Sequence, residues 1–145
     1  MFELQDCMAF LTSKAAKAMA AELENRFAPY HISRAQFFVL YYVDLNTKLT
    51  QTELADCMGL KTPSVARLLD RMEGEKLVQR VHVKSDRRVN FVKLTKKGKE
   101  MIDSLYPIAE EFKQTAISGI SQEDLELYQQ VLNKMQVNLN IEVNE

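Results

Sequence analysis

Two short helical patterns meet at one glycine between residues 50 and 73, and this pairing limits the fold more than any other feature of the chain. Thr50 and Glu53 have the spacing of a capping box, which opens a helix running to Met58. Gly59 can take the positive φ that ends a helix and starts a tight turn. A second helix then opens with Thr62 as N-cap and Pro63 at the first helical position, where a missing N–H costs nothing, and runs to Glu73. In a helix-turn-helix of this kind Leu54, Ala55, Met58, Leu60, Val65 and Leu68 share one core, with the small Ala55 where the helices cross. Ser64, Arg67, Asp70 and Arg71 are left on the outer face of the second helix.

Leu77–Val83 and Val89–Leu94 follow at once. Both are rich in β-branched residues and predict two strands. The link Ser85-Asp86-Arg87-Arg88 is short enough for a hairpin, and with Lys84 it makes a narrow basic tip. A major groove admits an α-helix, and an Arg on a narrow tip suits the negative potential of a minor groove. The combination points to double-stranded DNA. Thr62, Pro63 and Ser64 carry no charge, so N–H groups and hydroxyls there can approach phosphate. Arg67 can fork onto guanine O6 and N7. Arg71, one turn further on, is placed for the DNA backbone. Asp86 can hold one neighbouring guanidinium in a fixed orientation.

The charge distribution agrees. The net charge of the chain is −1, yet residues 61–99 hold twelve Lys and Arg against four Asp and Glu, a surplus of eight positive charges. Residues 100–145 hold nine acids against Lys113 and Lys134. A basic middle inside an acidic remainder is the local footprint of a polyanion partner.

The flanks read as helices. Residues 4–28 form one pattern through Leu4, Cys7, Met8, Leu11, Ala15, Ala18, Met19 and Leu23, closed by Pro29. At ~1.5 Å per residue this rod is about 37 Å long and its apolar stripe needs a partner surface. Ser33 and Gln36 have capping-box spacing at the start of a helix to Asp44, and its FFVLYYV run makes it the buried centre. Thr95 caps a fifth helix to Ile117, in which Pro107 is expected to produce a kink or a break. Ser121 and Asp124 open a last helix with a seam of Leu125, Tyr128, Leu132, Met135 and Leu139. The fold class is therefore mainly α, an α+β winged helix with helical flanks.

Other functions find little support. There is no nucleophile–base–acid arrangement, no phosphate-cradling glycine loop and no metal-ligand spacing, so neither an enzyme nor a cofactor is expected. Cys7 and Cys57 form no CxxC pair, and His31 and His82 stand singly. No apolar run approaches the ~18 residues of a membrane span. The first residues have acids before the first Lys and no small-residue cleavage site, so a cytoplasmic location is expected.

From Thr50 to Gly98 the chain resembles the MarR family of bacterial transcriptional regulators. The residues that carry this are TELADCMGLKTPSVARLLDRMEGEKLVQR and then DRRVNFVKLTKKG, which is similar to that family's wing signature of Asp-x-Arg followed by Leu-Thr-x-x-Gly. CMAFLTSKAAKAM and ISRAQFFVLYYV resemble the family's first two helices, so the likeness spans nearly the whole chain. One departure is Gly74-Glu75-Lys76, where the family usually has a charged residue and then Gly before Leu-Val.

The resemblance implies a single domain over 1–145. Helices in 1–30 and 99–145 would form a homodimer interface, and 31–98 would be the DNA-binding lobe. Arg88 would be the wing-tip Arg and Asp86 its brace. The family implies a repressor on a pseudo-palindromic operator, released by a small-molecule effector of phenolic, aromatic or drug-like kind. Phe38, Tyr41 and Tyr42 are candidates for lining such a pocket, the other reading of that run being core. The alternatives are a thiol-based redox sensor through Cys7, which is otherwise a packed interface thiol, and a winged-helix module for protein–protein assembly.

Overall fold

A computed structural model of the chain describes residues 1–143. Its elements in chain order are α1 (Met8–Phe27), α2 (Arg34–Leu45), α3 (Gln51–Met58), α4 (Thr62–Gly74), β1 (Val78–Val83), β2 (Asp86–Leu94), α5 (Lys96–Ile117) and α6 (Gln122–Asn138). The fold is mainly helical with one two-stranded antiparallel sheet, as expected. The described residues fall into two compact units that part within α5, between Glu110 and Glu111.

Both capping boxes form. Gln36 N donates to Ser33 Oγ at 3.1 Å while Ser33 N donates back to Gln36 Oε1 at 2.9 Å. Glu53 N donates to Thr50 Oγ1 at 3.2 Å while Thr50 N donates to Glu53 Oε2 at 2.8 Å. Each box satisfies two N–H groups that a helix start would otherwise leave bare. Gly59 has φ +62 and ends α3, with Leu60 N donating to Ala55 O at 3.0 Å.

Helix α2 runs through the middle of the first unit. Val39 and Leu40 are fully buried, and Leu54, Val65, Leu69, Met72, Val92, Ile102 and Leu105 join them in the same core. The helix-turn-helix residues Leu54, Ala55, Val65 and Leu68 face this core as expected. Leu60 does not: it sits beyond the Gly59 turn and is 42% exposed. β1 and β2 pair from Val78↔Leu94 to His82↔Asn90, and β2 also meets the segment before α3, where Val92 N donates to Leu49 O at 2.9 Å.

In helices α1, α4 and α5 the sequence reading is corrected at three places. The first helix is not continuous from residue 4: a 3-10 turn covers Leu4–Asp6, and Cys7 takes an extended backbone as N-cap of α1. The N-cap of α4 is Lys61, not Thr62, so Thr62 and Pro63 occupy its first two positions. Pro tolerates either place because neither N–H there has a helical acceptor. The third difference is that Pro107 does not split α5, which runs unbroken from Lys96 to Ile117.

In the first unit α1 buries only Phe27, leaving Leu4, Met8, Phe10, Leu11 and Met19 exposed nearby. In the second unit α6 buries nothing, and Leu127, Tyr128, Val131 and Val137 are about half exposed. No helix among the described residues is long and apolar enough to cross a membrane.

Candidate nucleic-acid interface

Helix α4 is sharply two-sided. Val65, Leu68, Leu69 and Met72 are buried, whereas Thr62, Pro63, Ser64, Arg67 and Arg71 are all exposed. Arg67 and Arg71 make no ion pair among the described residues, so their charges are not spent within the protein. Asp70 shares that face but is consumed. The Arg80 guanidinium on β1 reaches Asp70 and also meets Glu73, with Nη2 2.7 Å and Nε 3.1 Å from Glu73 Oε2. Arg80 N donates to Glu73 Oε1 at 2.7 Å as well. The hydrogen bonds from Arg80 hold the Glu73 carboxyl below its ordinary range, outweighing the cost of its partial burial.

Sequence reasoning missed this brace. Its signal was present: two acids three apart on one helix face, followed by a lone Arg on the first strand.

The wing tip differs from the expected four-residue link. The turn is Lys84-Ser85, and Asp86 already belongs to β2, paired with Val83. The register then jumps to His82↔Asn90, leaving Arg87, Arg88 and Val89 without partners on β1. The bulge has a local cause. Asp86 Oδ1 accepts Arg88 N at 2.9 Å, the side chain mimicking a turn. The Arg88 Nε lies 3.8 Å from the same oxygen and the side chain is 94% exposed, so Asp86 fixes the Arg88 backbone more than its guanidinium. Lys84 and Arg87 are exposed beside it.

Helix start and wing converge. Thr62 of α4 and Arg88, Val89 and Asn90 of β2 line one cleft of about 390 Å³ with Thr50, Gln51 and Thr52 from the start of α3. Gln51 Oε1 and Asn90 Oδ1 are buried and accept no hydrogen bond from the described residues.

The angle between α4, the wing and α5 is set by a backbone latch. Lys76, where the family usually has Gly, adopts φ +60, and Leu77 N closes the end of α4 on Met72 O at 2.9 Å. Thr95 Oγ1 donates to Lys76 O at 2.6 Å and accepts Gly98 N at 3.0 Å. A Cβ on Gly98 would lie 2.0 Å from Leu77 O, so only glycine fits there. The Leu-Thr-x-x-Gly element is thus a joint between the strand start and α5.

The remaining candidates are placed as follows. Phe38, Tyr41 and Tyr42 are half-buried and pack with the buried Phe37 and with Tyr106, ring centroids 5.4–6.4 Å apart along the chain of contacts. None of the three lines the cavity of about 660 Å³ in this unit. Cys7 is half-buried as the α1 cap, and Cys57 is exposed on α3. Among the described residues no cluster of three or more His, Cys, Asp or Glu could hold a metal ion.

A helix-turn-helix whose second helix is flanked by a basic hairpin defines a winged helix. Comparison with known proteins places it further. The MarR family model matches residues 31–89. The transcriptional regulator PA3341 is similar in structure at a TM-score of 0.79, with 32% identity over 92% of this chain and 98% of that one. MepR of S. aureus in a DNA complex is 25% identical over 91% of this chain and 98% of its own, with a TM-score of 0.85. The repressor CouR, bound to a 23-mer DNA duplex, is 26% identical over 93% and 96%, with a TM-score of 0.82. The chain belongs to the MarR family of transcriptional regulators.

Proposed function

We propose that this chain binds double-stranded DNA as a homodimer and represses transcription from a pseudo-palindromic operator, with release by a small-molecule effector. The observation that carries the reading is the shared cleft of Thr62 and Arg88, on the lobe where Arg67 and Arg71 are exposed and make no ion pair among the described residues. A helix for the major groove and an Arg for the minor groove are thereby set side by side on one lobe. In this reading Thr62, Pro63, Ser64, Arg67 and Arg71 form the recognition helix, and Lys84, Asp86, Arg87 and Arg88 the wing. The lobe is 31–98. The helices of 1–30 and 99–145 pair two copies, which accounts for exposed apolar side chains such as Met8, Leu11, Tyr128 and Val131. Two lobes related by a two-fold axis present recognition helices ~34 Å apart, matching half-sites about 10 bp apart. The related MepR and CouR are both known bound to DNA.

The test is fluorescence anisotropy on DNA from upstream of the chain's own gene, with a scrambled duplex at the same salt as control. Tight binding to the upstream duplex alone, at two protomers per site, is the expected result. Equal weak binding to both duplexes at every salt concentration, with a monomer in sedimentation, would refute it.

A further inference from the structure

The cleft of about 390 Å³ between the starts of α3 and α4 and the wing holds two side chains that belong neither to the recognition helix nor to the wing tip, Gln51 and Asn90. They are neighbours for a backbone reason. Thr50 and Phe91 form an antiparallel bridge, so the residues next along, Gln51 and Asn90, are in register beside it. Both are held on rigid elements. Gln51 opens α3 behind the Thr50–Glu53 capping box, and Asn90 pairs with His82 at the first rung after the bulge.

Neither side chain makes a hydrogen bond among the described residues. In both, the amide oxygen is the buried end, so the NH2 end is the one turned to the cleft. Thr52 and Thr62 are exposed on the same lining, and their hydroxyls make no hydrogen bond among the described residues. Arg88 is the one charged residue that lines the cleft. The carboxylates on the same segments are engaged. Glu53 accepts Thr50 N at 2.8 Å and Thr50 Oγ1 at 2.9 Å, and Asp86 accepts Arg88 N at 2.9 Å. The cleft therefore offers several donors, one positive charge and no negative one. That is the chemistry of an oxyanion seat.

We infer that Gln51 and Asn90 are positioning residues that seat one phosphodiester of the DNA strand running between the two grooves, an inference that rests on the proposed DNA binding. With α4 in a major groove and Arg88 in the adjoining minor groove, one sugar–phosphate backbone has to pass between them. The cleft that joins Thr62 to Arg88 is where it passes. The two amides donate to the phosphate oxygens from below, the threonine hydroxyls flank them, and Arg88 reaches past from the rim. Gln51 and Asn90 are neutral, so they fix the register of the strand without adding to the release of counterions. Free inorganic phosphate shares the oxyanion chemistry, but it lacks the flanking nucleotides that the helix and the wing hold in place.

The experiment uses the full chain and the upstream duplex. Gln51→Ala with Asn90→Ala should weaken binding about tenfold, as the loss of two hydrogen bonds to a charged oxygen implies. The slope of log affinity against log salt should stay as it is, because no cation is removed. Thermal denaturation should show no loss, since the substitutions delete two buried oxygens that have no partner among the described residues. Single neutral methylphosphonates, placed in turn at each phosphate of the duplex, then locate the seat. One position in each half-site should weaken the wild type and have little further effect on the double variant. This comparison is made between positions within one variant, so it holds even if that variant is less stable. Undiminished affinity in the double variant, or losses at every methylphosphonate equal to those of the wild type, would overturn the seat. Calorimetry with inorganic phosphate alone separates the two sources, and no saturable binding is expected. Saturable binding that the double variant loses, with no distinguishing methylphosphonate position, would assign the cleft to free phosphate and overturn the strand. Failure of the wild type to bind any duplex falls first on the proposed function and removes this inference with it.

Discussion

Arg80 and Glu73 meet three times, through two side-chain hydrogen bonds of 2.7 and 3.1 Å and one from the Arg80 backbone N–H at 2.7 Å. One residue belongs to the first wing strand and the other to the last turn of α4, so the pair fixes how the wing leaves the helix. Arg80→Ala removes both guanidinium contacts and leaves Asp70 and Glu73 facing each other. It should lower stability by about 1–2 kcal/mol, allowing for the partial exposure of the pair. Urea denaturation measures this. DNA affinity should fall further than the stability loss accounts for, since the wing loses its bearing. Lys at position 80 should restore stability in part but not the forked geometry.

Acid should act on the same brace. Glu73 and Asp44 are both held below their ordinary values of 4.5 and 3.8: Glu73 by its hydrogen bonds from Arg80, Asp44 by those from Lys99 and Tyr106 against the opposing effect of burial. A carboxylate with a depressed folded value stabilises the fold above its unfolded value, and that contribution is lost as pH falls through the folded value. Stability should therefore be flat near neutrality and decline below about pH 4.5, the ordinary Glu value. In Glu73→Gln the decline should be shallower. An identical acid profile in the variant would remove Glu73 from the account.

Gly98→Ala should be among the most damaging small substitutions in the chain. The added methyl would meet the Leu77 carbonyl oxygen, which is itself held by Thr95 N at 3.1 Å. Forcing the strand away should cost about 3 kcal/mol, at the upper end of overpacking effects. Thermal denaturation reads the loss, and Gly119→Ala, in open space, gives a contrast at a residue strained only by its φ of +77.

Lys76→Gly should have the opposite sign. Lys76 holds φ +60 at the end of α4 and its side chain is exposed. A left-handed conformation costs an L-residue about 1–2 kcal/mol, and part of that gain is offset by the freer unfolded chain of glycine. A net stabilisation of about 0.5–1 kcal/mol is expected. Lys76→Ala keeps the Cβ and should show no such gain.

Arg67 and Arg88 should separate in their effect on DNA. Arg67→Ala is expected to relax sequence preference by about 1–3 kcal/mol at one base pair, as loss of a forked base contact does. Arg88→Ala should weaken binding across sequences and reduce the slope of log affinity against log salt by about 1. Anisotropy titrations on a set of single-base variants at several salt concentrations distinguish the two. Equal losses on every duplex for both variants would defeat the division.

What the sequence made legible was local and self-consistent. Ser33 with Gln36, Thr50 with Glu53, and Gly59 each announce a boundary by chemistry that involves only near neighbours, and each forms as read. The misplacements share the opposite character. Thr62 lost the cap to Lys61 because Pro63 is equally at home one position later in the helix. Pro107 removes one helical bond, yet Ile102 and Leu105 are buried on the same helix and their packing keeps it whole. Leu60 matches the apolar pattern but lies past the turn that redirects the chain. The Arg80 brace and the Gly98 approach depend on residues seven and twenty-one positions apart in sequence. At the candidate interface the residue types were legible on α4, whereas the bulge that presents Arg88 depends on one side-chain bond from Asp86.

That bulge frees the reach of the wing from its pairing. The ladder from Val78↔Leu94 to His82↔Asn90 sets which side chains face the core, and it is complete before Arg87, Arg88 and Val89 begin. Residues could be gained or lost in the segment 84–89 without turning a single core side chain outward. The tip is in effect an exchangeable cassette, whose length and charge can change while the strands beneath stay as they are.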